Sequence, residues 1–151
     1  MKFWALFLAI LVGVVVSPFA QSVEVMDGIV STQEITVAQA SYLSLVASGR
    51  LPETATLKDA FEASSVLGWV KGSGDAQRSS TVSEFAFLVA RSFNLPGGFL
   101  EALVPGPRYA YRDLVAQGYF PTNEDPGAPL SGANAIRILE TVMEALPEGP
   151  R

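Results

Sequence analysis

The chain contains no cysteine and no histidine among its 151 residues. These two absences exclude disulfides, thiol nucleophiles, histidine-dependent triads and the usual zinc or transition-metal sites. Basic residues are also few, ten against fifteen acidic ones, which argues against nucleic-acid binding because that affinity comes mostly from Lys and Arg on phosphates. The acids are scattered along the chain. We therefore predict a protein that is not an enzyme, with no catalytic, cofactor-binding or metal-ligating residues.

What the chain does have begins with an apolar run over residues 3–16, preceded by one lysine and followed by small residues. This pattern is typical of a secretory signal peptide, and the run is shorter than a spanning helix needs. We predict a signal peptide at 1–22 that is cleaved before Val23, with cleavage after Ala20 as the alternative. The protein is expected to be exported, to the periplasm, the cell envelope or the exterior. Membrane contact is expected only through an uncleaved signal segment.

The remaining chain contains a unit that recurs at an offset of fifty residues. Gly68 precedes Thr81 by thirteen residues, and Gly118 precedes Ser131 by the same distance. An aromatic residue follows each of these glycines. Repeats of this period are typical of supersecondary units that bury their apolar face against a copy of themselves.

Apolar residues at helical spacing predict an all-α fold, and no segment alternates with the period of a strand. Capping-box signatures at Thr36-x-x-Gln39 and Thr81-x-x-Glu84 mark helix starts, while Ser131-x-x-Asn134 is a degraded version. Glycines at 49, 68 and 118 mark helix ends. The expected helices cover about 36–48, 57–67, 82–95, 108–117 and 132–146, and their inward positions include Leu67 and Met143.

These signals predict a single helical domain at 35–147, after a polar lead at 23–34 and before a tail at 148–151. Within the domain we expect a half-repeat at 35–49, a repeat at 56–95 and a repeat at 107–146. The half-repeat leaves part of its apolar face uncovered. We expect that face to be closed either by residues 99–104 or by a second copy, so a homodimer is a candidate.

The three helix starts resemble the S-layer homology (SLH) repeat, which reads Ile-Thr-Arg-Ala-Glu at this point. Here the segments are Ile-Thr-Val-Ala-Gln at 35–39, Ser-Thr-Val-Ser-Glu at 80–84 and Leu-Ser-Gly-Ala-Asn at 130–134. The resemblance implies two and a half hairpin repeats in a compact bundle with pseudo-threefold, trefoil-like packing. It also implies tethering of an exported protein to cell-wall or envelope polysaccharide. The family's arginine is replaced by Val37, Val82 and Gly132.

Seven residues are candidates for a ligand or partner surface, each with a plainer structural alternative. Capping explains Thr81 and Glu84, core packing explains aromatic residues after a glycine, and a solvated helix face explains the arginines. Turn chemistry is likewise the preferred explanation for Asp75 and Asp125, ahead of calcium binding. The candidates are Thr81, Glu84, Trp69, Tyr119, Arg78, Arg108 and Arg112.

The sequence leaves more than one class of function open. The first is an exported, non-catalytic envelope module that binds or bridges cell-wall or envelope components, with polysaccharide as the partner. The alternative is a periplasmic protein–protein interaction domain that has lost glycan binding and contacts an envelope protein. A third class, hydrolysis by a carboxylate pair such as Glu84 with Asp75, has no substrate that the sequence suggests.

Overall fold

A computed structural model describes residues 18–70 and 75–147, with side chains from residue 23 onward. The regular secondary structure in this part of the chain is helical apart from two isolated antiparallel bridges, which confirms the all-α prediction. No helix in it combines the length and the apolar character needed to cross a membrane. The helices are α1 Pro18–Val30, α2 Val37–Ala47, α3 Leu57–Val66, α4 Val82–Ser92, α5 Phe99–Leu103, α6 Pro107–Ala116 and α7 Gly132–Ala145.

Helix starts follow the capping signals in the sequence. Thr36 and Thr81 each accept a hydrogen bond from the third helical residue, whose side chain accepts one from the threonine amide in return. Thr56 and Asp59 form a third reciprocal box at the start of α3, which the sequence reading did not predict. Ser131 caps α7 without the reciprocal bond, as expected for the degraded signature.

Helix ends follow the predicted glycines. Gly49, Gly68 and Gly118 have φ angles of 70°, 70° and 83°, values that strain a residue carrying a Cβ. The aromatic residues after two of them, Trp69 and Tyr119, turn back against the core. The Gly-aromatic steps therefore fix where α3 and α6 end and where the following loops begin.

The core lies mainly around α2 and α4, which are buried along most of their length. Phe85, Tyr111 and Phe120 form an aromatic cluster in which Tyr111 meets Phe120 edge-on at 5.9 Å between ring centroids. Two predicted inward positions are wrong, because the side chains of Leu67 and Met143 are about half exposed, at 51% and 52%. On α7 the buried stripe instead runs through Leu139, Val142 and Leu146, beside Met143.

The prediction of a polar lead at 23–34 is wrong. Residues 18–30 form α1, which packs against α7 and buries Ile29. Helix α1 ends six residues before Thr36, the N-cap of α2. The expected closure by residues 99–104 is also not what the structure shows, since α5 packs against α6. The predicted signal peptide lies largely outside the described residues.

The residues just before the N-caps of α2, α4 and α7 are joined by a ring of backbone hydrogen bonds. The amide of Ile35 donates to Leu130, that of Leu130 donates to Ser80, and that of Ser80 donates to Ile35, at 2.8 to 3.0 Å. Around this ring α3 packs on α2, α6 on α4 and α1 on α7. These are contacts that a trefoil of repeats would make, and the pseudo-threefold trefoil itself stays a prediction.

Candidate functional site

One cavity in the described part of the chain has a volume of about 340 Å³ and lies beside the Gly-aromatic step that ends α3. Its apolar wall comes from Trp69, Val37 and Phe87, and its polar groups come from the 78–84 segment and the last turn of α4. The turn at 105–107 closes one side. Its volume lies within the range of small-ligand pockets, and its wall combines aromatic side chains with the charged side chains of Arg78, Glu84 and Arg91.

Arg78 and Glu84 form a two-pronged ion pair on the cavity wall. The two guanidinium nitrogens donate to the two carboxylate oxygens at 2.7 and 2.9 Å, and the amide of Thr81 donates to Glu84 at 3.0 Å. Burial raises the pKa of Glu84, but the hydrogen bonds from Arg78 and Thr81 outweigh it, so the pKa is lowered. Glu84 therefore stays ionised at neutral pH, and its charge is balanced by Arg78.

Arg91 and Ser80 carry polar atoms that have no hydrogen-bond partner among the described residues. Arg91 Nε and Ser80 Oγ are both buried, and both residues line the cavity. The Arg91 guanidinium lies 5.0 Å from the Phe87 ring centroid, a cation–π distance, and its charge also acts on the carboxylate of Glu101. A buried donor without a partner costs free energy, so this wall suits a ligand that offers an acceptor.

The Trp69 indole is held in place by Arg50. The Arg50 guanidinium lies 5.5 Å from the Trp69 ring centroid, and its Nε donates to the carbonyl of Ser92 at 2.5 Å. Arg50, which follows α2, thus connects the Trp69 indole to the end of α4 and restrains a flat aromatic surface at the cavity wall. Such a surface can stack on a planar or ring-shaped ligand without losing much side-chain freedom.

A second, smaller cavity of about 180 Å³ lies beside the Gly-aromatic step that ends α6. Six of its lining residues lie fifty positions after lining residues of the first cavity. The offset that relates the two sequence units therefore also relates the two cavities. The pairs are Gly68 with Gly118, Trp69 with Tyr119, Val70 with Phe120, Phe87 with Arg137, Leu88 with Ile138, and Arg91 with Thr141.

Charge is arranged differently in the second cavity. Arg137 donates to Asn134 Oδ1 at 3.2 Å and lies 3.8 Å from Glu124. Thr141 stands at the position of Arg91 and donates its hydroxyl to the carbonyl of Arg137 at 2.9 Å. The second cavity thus has its arginine already paired and has a neutral side chain where the first has a cation.

The structure brings three of the seven predicted candidates together, since Trp69, Arg78 and Glu84 all line the first cavity. Thr81 acts as the N-cap of α4, and its amide supports Glu84. Tyr119 lines the second cavity. The other two, Arg108 and Arg112, are exposed on α6, outside both cavities.

The predicted turn role of Asp75 and Asp125 is confirmed. Asp75 Oδ1 accepts the amide of Gln77 at 2.9 Å, and Asp125 Oδ1 accepts that of Gly127 at 2.8 Å. Asp75 is exposed and occupied with its own turn, while Glu84 is occupied by Arg78. Both carboxylates of the suggested hydrolytic pair therefore have structural partners.

Sequence reasoning missed Arg91 and Ser80. Arg91 lies ten residues after Thr81, in the last turn of α4, where an arginine also satisfies the helix dipole. One signal in the sequence distinguishes it, because the equivalent position in the second unit is Thr141. Comparison of the chain with protein-family models, with curated proteins and with solved structures finds no match.

Proposed function

We propose that this chain is an exported, non-catalytic envelope module that binds a cell-wall or envelope glycan through the cavity around Trp69. The observation that carries the proposal is the composition of this cavity. The cavity wall contains the Trp69 indole, which Arg50 restrains, and the ion pair between Arg78 and Glu84. It also contains Arg91, whose buried Nε has no hydrogen-bond partner among the described residues. These groups surround a volume suited to a small ligand. Sugars present both features that such a wall recognises, an apolar ring face and polar oxygens around its rim.

The resemblance to the SLH repeat supports the same proposal. Val37, at one of the positions where that family has arginine, lines the cavity. In this cavity the positively charged side chains are instead those of Arg78 and Arg91, which line its walls. The replaced arginine therefore does not leave the cavity without a cation.

The test is co-sedimentation of the full chain with purified sacculi or envelope polysaccharide. Trp69→Ala is expected to weaken retention about tenfold or more, since a buried tryptophan anchor is worth 2 kcal/mol or more in an interface. Arg91→Gln is expected to weaken it as well, and retention of the wild type should fall with salt.

Two matched controls separate a binding site from a general loss of structure. Tyr119→Ala truncates the equivalent aromatic residue in the other unit, and Arg112→Gln removes an arginine from the exposed face of α6. Both variants should sediment like the wild type. Absence of sedimentation by the wild type would refute the glycan assignment. One dominant protein product of cross-linking in cells would instead support the alternative, a protein–protein interaction domain.

A further inference from the structure

A third cavity, of about 220 Å³, lies between the end of α4 and helix α5, and we call it the α5 cavity. Its polar side chains are those of Arg91, Asn94 and Glu101, and its other lining residues are apolar or glycine. Arg91 also lines the cavity around Trp69, so one arginine borders both cavities. The α5 cavity therefore combines one cation, one anion and a short apolar wall.

Glu101 is a buried carboxylate without a donor. The residue is 8% exposed, although it lies on a helix of only five residues. A Cβ at Gly97 would lie 2.5 Å from Glu101 Oε2, so the carboxylate lies against a backbone segment that also lines the α5 cavity. Burial raises the pKa of Glu101, with Asp113 adding to the effect and Arg91 opposing it, and no hydrogen bond from a described residue lowers it. The fold thus buries an acceptor and leaves it open to a donor from the cavity.

Arg91 carries the opposite charge and is also incompletely partnered. Its Nε is buried and has no hydrogen-bond partner among the described residues. The ion pairs within 4 Å in this part of the chain do not include one between Arg91 and Glu101, although both line the α5 cavity. Each charge costs free energy while it is buried without a partner. Two opposite charges that border one cavity without pairing suit a ligand that carries both charges.

We propose that the α5 cavity binds a small α-amino acid in its zwitterionic form. The ammonium group donates to the carboxylate of Glu101, and the carboxylate of the ligand accepts from the guanidinium of Arg91. Hydrogen bonds between charged groups are shorter and stronger than those between neutral groups. The inference goes beyond the proposed glycan site and does not depend on it.

Ligands with a single charge fit the α5 cavity less well. A simple amine would satisfy Glu101 but would bring a second cation towards Arg91, and a simple carboxylate would bring a second anion towards Glu101. The volume is smaller than that of pockets for drug-sized ligands, and the apolar residues of the wall include Leu95 and Ala102. These features favour an amino acid with a short aliphatic side chain, and alanine is the simplest probe.

Isothermal titration calorimetry of the full chain with alanine tests the proposal in the absence of any glycan. Binding of alanine is expected, together with binding at least about tenfold weaker for two analogues, because each leaves one buried charge unpaired. N-acetylalanine lacks the ammonium group, and alanine amide lacks the carboxylate. Absence of alanine binding, or equal affinity for alanine and both analogues, would overturn the proposal.

Glu101→Gln separates loss of the site from loss of the fold. This variant should bind alanine about tenfold or more weakly, yet it should melt at a higher temperature because it removes a buried charge without a donor. Unfolding would move the melting temperature in the opposite direction. Glu62→Gln, which removes an exposed acid from α3, is the matched control and should bind like the wild type. Unchanged alanine binding by Glu101→Gln would leave Glu101 as a counter-charge of Arg91 and refute the assignment.

Gly97→Ala tests the position of the carboxylate without changing any charge. The added Cβ would overlap Glu101 Oε2 at 2.5 Å, so the carboxylate would have to move. Alanine binding should therefore weaken in this variant as well. Gly28→Ala adds the same methyl group where no atom lies within 4 Å, and it should bind like the wild type. Equal binding by the two alanine variants would contradict the placement of the ammonium group on Glu101.

Discussion

Replacing Gly132 by alanine is expected to destabilise the protein through the contact between α7 and α1. A Cβ at Gly132 would overlap the carbonyl oxygen of Ile29 and lie 2.7 Å from the carbonyl carbon and 3.2 Å from the Cα of Val30. All three atoms belong to backbone, so no side-chain rotation can relieve the overlap. The end of α1 would have to move away from the start of α7.

The size of the effect follows from what that movement disrupts. Forcing extra atoms into a packed contact lowers the free energy of unfolding by about 1–3 kcal/mol. The better helix propensity of alanine offsets at most about 1 kcal/mol of this loss. If α1 detached altogether, the burial of Ile29 would be lost, worth about 1.5–3 kcal/mol, together with the bond from the Gly132 amide to Thr32 at 2.9 Å. We therefore expect a net loss of about 1–3 kcal/mol.

Urea unfolding followed by circular dichroism measures this loss, with Gly28→Ala as the matched control. Gly28 lies on the same helix pair but has no atom within 4 Å of its would-be Cβ. Alanine there should stabilise the protein by about 0.5–1 kcal/mol. In a double-mutant cycle, Ile29→Ala should cost less in the Gly132→Ala background than in the wild type. A Gly132→Ala variant as stable as the wild type would refute the packing of α1 described above.

Three further changes have outcomes set by single contacts. The pKa of Glu84 is lowered in the fold, so ionised Glu84 stabilises the protein above the ordinary glutamate range, and this stabilisation is lost as the pH falls through the lowered pKa. Glu84→Gln should therefore lower the free energy of unfolding by about 1–2 kcal/mol at pH 7 and flatten that part of an acid-unfolding curve. Burial raises the pKa of Glu101, with Asp113 adding to the effect and Arg91 opposing it. Thermal melts should therefore show Glu101→Gln to be more stable than the wild type at pH 7. The difference should shrink as the pH falls, because the wild-type carboxylate becomes protonated. Thr56→Ala removes the cap of α3 and should lower the free energy of unfolding in urea by about 1 kcal/mol.

Helix limits could be predicted from the sequence because their causes are local. The hydroxyl of Thr81 and the left-handed φ of Gly68 act within a few residues of where they stand. The same local reasoning failed for α1. Its inward side chains are few, with Ile29 fully buried and Val25 and Met26 partly buried, and the apolar run before it gave a competing explanation for the region.

The cavity could be predicted only in part, because it is assembled by long-range packing. Trp69 and Glu84 stood out through their place in the repeat. Arg91 did not, since nothing in its neighbourhood indicates that α4 will bring its last turn beside residues 67–70 and the 105–107 turn. The sequence also did not predict that α5 buries Glu101 and exposes Phe99. The start of this helix is bonded to Asp113, fifteen residues after Gly98, which is again a long-range contact.

Under the proposed function, the charges of the two cavities predict that an anionic ligand would favour the first. In the first, Glu84 neutralises Arg78, and Arg91, whose charge also acts on Glu101, adds a second cation to the wall. In the second, Glu124 offsets Arg137, and the position equivalent to Arg91 holds Thr141.

This difference in charge makes a sharper distinction between the cavities than their aromatic residues do. Tryptophan and tyrosine both present a ring face, so the aromatic residues alone do not separate the two cavities. A sugar that carries a carboxylate or phosphate would favour the first cavity, where its charge meets Arg91. Competition by anionic against neutral saccharides therefore measures the contribution of Arg91, and Thr141→Arg should increase anionic binding at the second cavity if charge decides between the two.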